Sequence, residues 1–346
     1  MIRTFRYIVL AVLLLASCSE KGLRTDSENA IRLIIDVPQT RATLFEGAAS
    51  LLNEEIGGGD FTVSAYVAGN GQQYIADARV NYFKAAGDWR FATMSGGLIN
   101  YFDYYWPKDE KLNFFAHMPM DASQAAVTDK GYTDGQPWFS FSLPLYAYDP
   151  EEADTNVPAS SPNQETLREF IYAYAPGQNK ASQDAANGVQ LQFRHPFAAL
   201  YFDLGKSYRM KLKSLTVMNI DFEGTYSYDG SDWGLTQTGA GNLYISVMAD
   251  VPSDELNFNS HIGGPYIVMP QDVTNDVKLR IIGSRLGGEV YDHTVSLAAL
   301  GLPEAWEAGM KYTYTLNLGE ADEEILFKVR VEEWDVVDYK NEIDVE

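Results

Sequence analysis

The sequence predicts an all-β protein, and three observations support that class. Tyr and Phe are abundant, with 22 and 17 residues among 346, and aromatic side chains favour strands. Apolar and polar residues alternate in many short segments, which is the pattern of half-buried strands. The 28 Gly and 14 Pro residues punctuate these segments, as turns do in β-sandwiches.

The N-terminus has the pattern of an export signal that ends at the only cysteine of the chain. Arg3 and Arg6 precede an apolar run of nine residues, 7–15, which is too short to span a bilayer. Residues 1–17 are therefore predicted to be a lipoprotein signal peptide, because Leu-Ala-Ser before Cys18 resembles the lipobox of bacterial lipoproteins. In such proteins the cysteine thiol is acylated, so Cys18 would be a lipid anchor. The alternative is a secretory signal that happens to contain a cysteine.

The first predicted strand follows a polar tether. Its apolar row alternates with Arg32, Ile34 and Asp36, and the row consists of Ile31, Leu33, Ile35 and Val37. Pro38 ends the strand, and residues 39–43 are expected to form an exposed loop that contains Arg41 and Ala42.

Further strands are predicted along the rest of the chain. Alternation or aromatic runs mark 61–69, 96–119 with a turn at 107–110, 214–235 with a hairpin turn at Asp229-Gly230, 242–251, 263–271, 277–283, 289–297, 311–320 and 323–338. In the last segment one face carries Ile325, Phe327, Val329 and Val331, and a change of phase at Glu332-Glu333 suggests a β-bulge.

A compositional shift predicts two domains. Residues 149–188 are rich in Pro, Ser, Asn and Ala, with one short apolar stretch at 170–174, and the division is expected near 176–188. The predicted units are residues 18–41 as tether and first strand, a candidate propeptide, then 42–180 as the N-terminal domain and 186–346 as the C-terminal domain.

Charge and motifs exclude several function classes. The net charge of -22 repels phosphate backbones, so no nucleic-acid partner is expected. Nucleophile-elbow, P-loop and zinc-protease motifs are missing from the sequence, and the acidic cluster at 320–324 lacks the spacing of a calcium loop. No catalytic residue, metal or cofactor is therefore expected. The histidines have no ligand partner at metal-binding spacing; they are His117, His195, His261 and His293.

Several stretches together resemble the fimbrillin family, the Mfa-like pilin lipoproteins of the Bacteroidetes that build type V pili. The ordered set consists of the lipobox at 15–18, QTRAT at 39–43, YWPKDEKLNFFAHMP at 105–119, FIYAYAP at 170–176, FRHPFAALYF at 193–202, PYIVMPQ at 265–271, WEAGMKYTYTLNL at 306–318 and VRVEEWDVVD at 329–338. The resemblance implies two transthyretin-like β-sandwich domains in tandem and export as a lipoprotein to the outer-membrane surface.

For pilus-forming members, the resemblance also implies a route of assembly. An Arg-specific surface protease would cut between Arg41 and Ala42 and release the first strand. A donor strand from another pilin subunit, in a homo- or heteropolymer, would fill the groove, and residues 323–338 are the donor candidate. A host protein or glycan would be the receptor of an adhesin. The first strand could equally stay uncut.

Three function classes follow from the sequence. The first is a fimbrial subunit or adhesin that assembles by strand complementation. The second is an uncleaved anchor or a glycan-binding surface lipoprotein, in which Trp138 or Trp233 would stack on sugars. The third is an enzyme with paired carboxylates, which sequence spacing does not reveal and nothing in the chain favours.

Overall fold

The computed structural model describes the chain over defined ranges. These are residues 28–36, 60–83, 87–133, 135–143, 170–207, 210–228, 233–246, 260–285, 288–300, 303–318 and 326–333. Cys18, Val37, Arg41, Ala42 and Ile325 lie outside the described residues, so their predicted roles stay predictions.

Within these ranges the chain is built almost entirely of strands, which confirms the all-β class. The elements are β1 (Leu33–Asp36), β2 (Phe61–Val67), β3 (Gln73–Phe83), β4 (Asp88–Ser95), β5 (Leu98–Tyr101), β6 (Leu112–Met118), β7 (Val127–Thr133), β8 (Gln136–Ser142), β9 (Ile171–Gln178), α1 (Lys180–Ala186), β10 (Val189–Gln192), β11 (Ala198–Ser207), β12 (Met210–Tyr228), β13 (Trp233–Ser246), β14 (Ser260–Val268), β15 (Gln271–Asp272), β16 (Lys278–Arg285), β17 (Val290–Ser296), β18 (Ala305–Trp306), β19 (Met310–Leu318) and β20 (Leu326–Glu333). Short 3₁₀ helices occur at Ala122–Ala125 and Ala298–Leu300.

The first sheet has eight strands and encloses its own core. Their order is β10-β1-β4-β3-β2-β6-β9, with β5 paired to β4. The two ends of the sheet meet, because Tyr172 in β9 and Arg194 after β10 exchange backbone hydrogen bonds of 3.1 and 2.8 Å. Phe61, Phe114 and Leu191 are fully buried inside. Because β1 has β10 on one side and β4 on the other, it lies in the interior of this sheet and not at an edge.

The second unit is a sandwich of two sheets. A four-stranded sheet, β14-β11-β19-β20, packs on a six-stranded sheet, β17-β16-β12-β8-β7, in which β13 also pairs with β12. The alternation predicted for 311–320 is confirmed, since Tyr312, Tyr314 and Leu316 all face the core. The indole N–H of Trp306 donates a buried hydrogen bond of 2.8 Å to the Tyr314 hydroxyl.

An aromatic cluster joins the two units. Strands β6 and β9 are buried on both faces, so Phe115 and Phe170 point away from the first core toward the β7–β8 hairpin. The ring centroids of Phe139 and Phe170 are 5.0 Å apart, and those of Phe141 and Phe197 are 4.5 Å apart. The β7–β8 hairpin pairs with β12, so it extends the six-stranded sheet although it precedes β9 in the chain.

Residues 171–186, inside the stretch whose composition marks the predicted boundary, form β9 and α1. One local expectation differs from the structure. The ladder between β19 and β20 runs without a register shift from Leu326 to Glu333, so the suggested bulge does not occur within the described part of that strand.

Candidate functional site: the slot of the first strand

The first strand lies between segments that are distant in sequence. On one side β1 runs parallel to β10, with Leu33 opposite Val189. On the other side the Ile31 N–H donates to the Tyr104 carbonyl at 2.8 Å, and the Trp106 N–H donates to the Asn29 carbonyl at 3.0 Å. We call the space between β10 and residues 104–106 the strand slot.

The apolar row of this strand faces the first core. Ile31 and Leu33 are only 5% and 6% exposed, and Ile35 is partly buried against the same core. Their burial follows from the two-residue period, because alternate side chains of a strand point to the same face. Val37 lies outside the described residues, and the release of this row is a prediction that burial alone does not test.

Helix α1 places one polar side chain at the slot. Asn179 and Ser182 form a capping box, with hydrogen bonds of 2.9 and 3.0 Å, which fixes where this short helix begins. Gln183 is fully buried on its inner face. Its Nε2 donates to the Ala30 carbonyl at 2.9 Å, and its Oε1 accepts from the Arg32 N–H at 2.7 Å.

Gln183 was not predicted from the sequence. Its partners are backbone atoms about 150 residues earlier, and no spacing rule connects them. The available signal was the capping pattern of α1, which would have placed a helix at 180–186 and a Gln on one of its faces. That signal would not have named the strand that the amide contacts.

The outer face of the first strand makes weaker contacts. Arg32 pairs with Asp184 at 3.2 Å, and both side chains are about half exposed, so this pair adds little stability. Ile34 lies over Gly188, where an added Cβ would approach Ile34 Cγ1 to 2.7 Å and the Arg32 carbonyl oxygen to 3.3 Å. Gly188 is therefore the residue that lets β10 approach the slot closely.

The donor candidate occupies a different kind of position. Strand β20 pairs only with β19 in the part of the chain that the structure describes, so it is the outer strand of its sheet. Val329 is partly buried and Val331 is 46% exposed, whereas nothing is described of the Phe327 side chain. An outer strand leaves its sheet by breaking one ladder, but β1 must break contacts on both sides.

A second polar cluster lies between the first sheet and β7. Lys130 Nζ donates to Asp77 Oδ1 at 2.7 Å and lies 2.9 Å from His117 Nε2, and the Ser64 hydroxyl donates to Asp77 Oδ1 at 2.8 Å. An adjacent depression of about 430 Å³ is lined by Asp77 and Lys130 together with Thr62, Met120, Asp121, Ala122, Ser123, Val127, Thr128 and Asp129.

The ionisation states in this cluster follow from burial and charge. Burial, with the Lys130 charge in second place, lowers the pKa of His117 to about 4, so the ring is neutral at pH 7. Burial raises the pKa of Asp77, but the hydrogen bonds from Lys130 and Ser64 outweigh it and the net shift is downward. The cluster is an ion pair beside a neutral histidine, which ties two sheets together.

Trp138 and His195 contact other parts of the fold. Trp138 lies over Gly131 in the β7–β8 hairpin, and its indole N–H donates to the Thr133 hydroxyl at 3.0 Å. His195 is buried.

The described residues contain no group of three or more His, Cys, Asp or Glu that could hold a metal ion. None of the helices in the described part of the chain is long and apolar enough to cross a membrane.

Comparison with known proteins identifies the family. Residues 40–334 match the family described as fimbrillin-like. The chain belongs to the fimbrillin-like family. No curated protein matches this fimbrillin-like chain in sequence.

Solved structures agree with this assignment at the level of the fold. A fimbrial protein from Bacteroides vulgatus has 14% sequence identity and a TM-score of 0.55, and the match covers 88% of this chain and 99% of that one. A candidate cell adhesion protein from Bacteroides uniformis has 14% identity and a TM-score of 0.50, with 88% and 98% coverage. The fimbrillin-like chain therefore spans nearly the whole length of both structures.

Proposed function

We propose that this fimbrillin-like protein is a surface-exposed subunit or adhesin of a fimbrium. It would be exported as a lipoprotein, acylated at Cys18 and held at the outer membrane by its lipid. An Arg-specific surface protease would then cut between Arg41 and Ala42. The first strand would leave the slot, and a strand from another subunit, with residues 323–338 as the candidate, would replace it.

The observation that carries this proposal is the position of β1. It lies inside the first sheet between β10 and β4, and neither neighbour is joined to it by a hairpin. If β1 left, the strands β4-β3-β2-β6-β9 would keep all their mutual pairings and an open slot would remain. An incoming strand would restore both the hydrogen bonds and the burial of apolar side chains.

The slot offers a bound strand apolar burial as well as backbone hydrogen bonds. The two buried side chains Ile31 and Leu33 contribute about 1.5–3 kcal/mol each, which gives about 3–6 kcal/mol before ladder hydrogen bonds are added. A strand that makes these contacts dissociates only when it loses all of them together, so the joint would be held kinetically.

Two further observations support the proposal. The family match begins at residue 40, after the end of β1 and next to Arg41. The similar structures from Bacteroides vulgatus and Bacteroides uniformis are described as fimbrial and cell adhesion proteins. We also propose residues 18–41 as the removable propeptide and a division of the remaining chain into 42–180 and 186–346, across which β10 still pairs in the first sheet and the β7–β8 hairpin pairs with β12.

Mass spectrometry of the mature N-terminus tests the proposal. The protein is purified from surface-shed material and from the membrane fraction of cells that express the full chain. We expect shed chains to begin at Ala42 and membrane chains to begin at acylated Cys18. Shed material should also form ladders in unheated sodium dodecyl sulfate gels.

Two variants provide the controls. Arg41→Lys should keep the protein at the membrane with Cys18 as its first residue, because an Arg-specific protease does not cut after Lys. Arg32→Lys leaves Arg41 intact and should be processed like the natural chain. Chains that begin only at Cys18 in every fraction would contradict processing and leave the uncleaved anchor as the function.

A further inference from the structure

The Gln183 side chain reproduces the hydrogen bonds of a backbone residue. In a parallel ladder, one residue donates its N–H to one carbonyl of the partner strand and accepts from the N–H two residues later. Val189 follows this pattern opposite Leu33, where its N–H donates to the Arg32 carbonyl at 2.8 Å. The Gln183 amide makes the same pair of bonds to Ala30 and Arg32, opposite Ile31.

The ladder of β10 is thus extended by a side chain. Gln183 and Val189 contact the same edge of the first strand at successive positions, opposite Ile31 and Leu33. The backbone groups of Ile31 point to the opposite edge of the strand, where its N–H donates to the Tyr104 carbonyl. A primary amide serves this purpose well because one of its two N–H groups lies on the same side as its carbonyl oxygen, so a donor and an acceptor point at the strand from one plane.

We propose that Gln183 is the positioning residue that sets the register of whichever strand occupies the slot. For strands other than the resident one, this inference rests on the proposed function. The occupant must present a backbone carbonyl and N–H at the positions of Ala30 and Arg32. Proline is therefore excluded at the position of Arg32, because it has no N–H.

A strand shifted by one residue would be rejected for two reasons. It would turn the wrong edge toward Gln183 and leave a buried donor and acceptor without partners. It would also place its polar residues in the core. The expected occupant is an extended segment of a second pilin chain with alternating apolar residues and no proline at that position. Residues 323–338 contain no proline and meet this requirement.

Amide hydrogen exchange on the intact chain is the first test. In the natural protein the Arg32 N–H should be protected by Gln183, and the Ile31 N–H by Tyr104. Gln183→Met, which keeps similar volume without polar atoms, should speed exchange of the Arg32 N–H at least tenfold more than that of Ile31. Asp184→Asn, which removes the surface ion pairs of Asp184 with Arg32 and Lys180, should change neither. Equal acceleration of both amides in Gln183→Met would overturn the proposal.

A conservative variant supplies a pH-dependent rescue. In Gln183→Glu, a protonated carboxyl can donate to Ala30 and accept from Arg32, but a carboxylate can only accept. A carboxylate still accepts from the Arg32 N–H, but it leaves the Ala30 carbonyl without a donor and repels its oxygen, so this end of the strand should open more often. Protection of the Arg32 N–H, corrected for intrinsic exchange, should therefore be close to that of the natural protein at low pH and fall as the pH rises through the pKa of the introduced carboxyl, which burial raises. The charged groups described nearby are Arg32, Lys180 and Asp184, and both cations pair with Asp184 at the surface. A pH-independent loss of protection would argue against a two-bond contact.

Strand exchange separates this inference from the proposed function. A specific protease sequence replaces residues 44–50, the full chain is cut there, and a labelled synthetic peptide of residues 26–38 competes for the slot. An ester in place of the Arg32 amide should weaken binding at least tenfold in the natural chain and little in Gln183→Met. An ester at Ile31 should weaken binding equally in both. An Arg32 ester that weakens binding equally in the natural chain and in Gln183→Met would overturn the positioning role. Complete failure of the peptide to exchange would overturn the proposed function, and hydrogen exchange would then decide the role of Gln183.

Discussion

Leu33→Ala tests the idea that the first strand is anchored in the core by one face. Leu33 is 6% exposed and lies across the ladder from Trp89, with Ile31 on the same face. Truncation of a buried Leu to Ala costs about 2–5 kcal/mol, because packing is lost and a cavity remains. We expect about 3 kcal/mol at this position, which has close neighbours on both sides.

Ile34→Ala is the matched control on the opposite face of the same strand. Ile34 is partly exposed and contacts Gly188, so its truncation should cost about 1 kcal/mol. With a urea m-value of about 3 kcal/mol per M, the midpoint should fall by about 1 M for Leu33→Ala and about 0.3 M for Ile34→Ala.

Equilibrium unfolding in urea, followed by tryptophan fluorescence, measures both shifts. The signal should include the first core, since Trp89 and Trp106 pack there. Equal shifts for the two variants, or a larger shift for Ile34→Ala, would refute the assignment of the buried face. The register of β1 against β10 would then be wrong by one residue.

Two further predictions concern a buried histidine and a constrained glycine. Because burial lowers the pKa of His117 to about 4, the folded chain should take up this proton later than the unfolded chain, so stability should fall as pH drops from about 6.5 to 4. An NMR titration should show the low midpoint, and Lys130→Met should raise it; a midpoint near 6.5 in the natural protein would contradict the burial argument. Gly264→Ala should destabilise by more than about 3 kcal/mol in thermal melts, since φ is +120° and a Cβ would lie 2.6 Å from the Leu200 carbonyl oxygen. Gly96→Ala, with φ of +59° and open space around it, should cost about 1 kcal/mol, and equal losses would contradict the steric reason.

Periodicity was a sound guide where a strand has one buried face. It predicted β19 and the inward face of β1, because the alternate apolar residues of these strands meet the core. It also predicted β2, although Thr62 and Ser64 between the apolar residues of that strand are buried as well. It was a poorer guide to β9, which is buried on both faces and therefore carries the continuous apolar run at 170–175. Helix α1 was missed because its seven residues are too few for a clear helical period.

Pairing between strands that are distant in sequence could not be predicted from sequence patterns. Strand β10 has only four residues, and nothing in them indicates that they run parallel to β1. The β7–β8 hairpin could be expected as a hairpin, but its attachment to β12 depends on the aromatic cluster around Phe139. Which strands pair depends on the apolar surface that the whole fold removes from water, and many residues contribute to that surface.

The sequence by itself determined the all-β class, the inward rows of the regular strands and the signal-like N-terminus, because these depend on neighbours within a few residues. The ordered motifs also determined the resemblance to fimbrillins. Only the tertiary structure decided that β1 is an interior strand, that β20 is an outer one, and that the Gln183 amide completes the ladder beside Val189. Hydrogen bonds and packing between segments 150 residues apart depend on the path of the whole chain, and local spacing carries no information about that path.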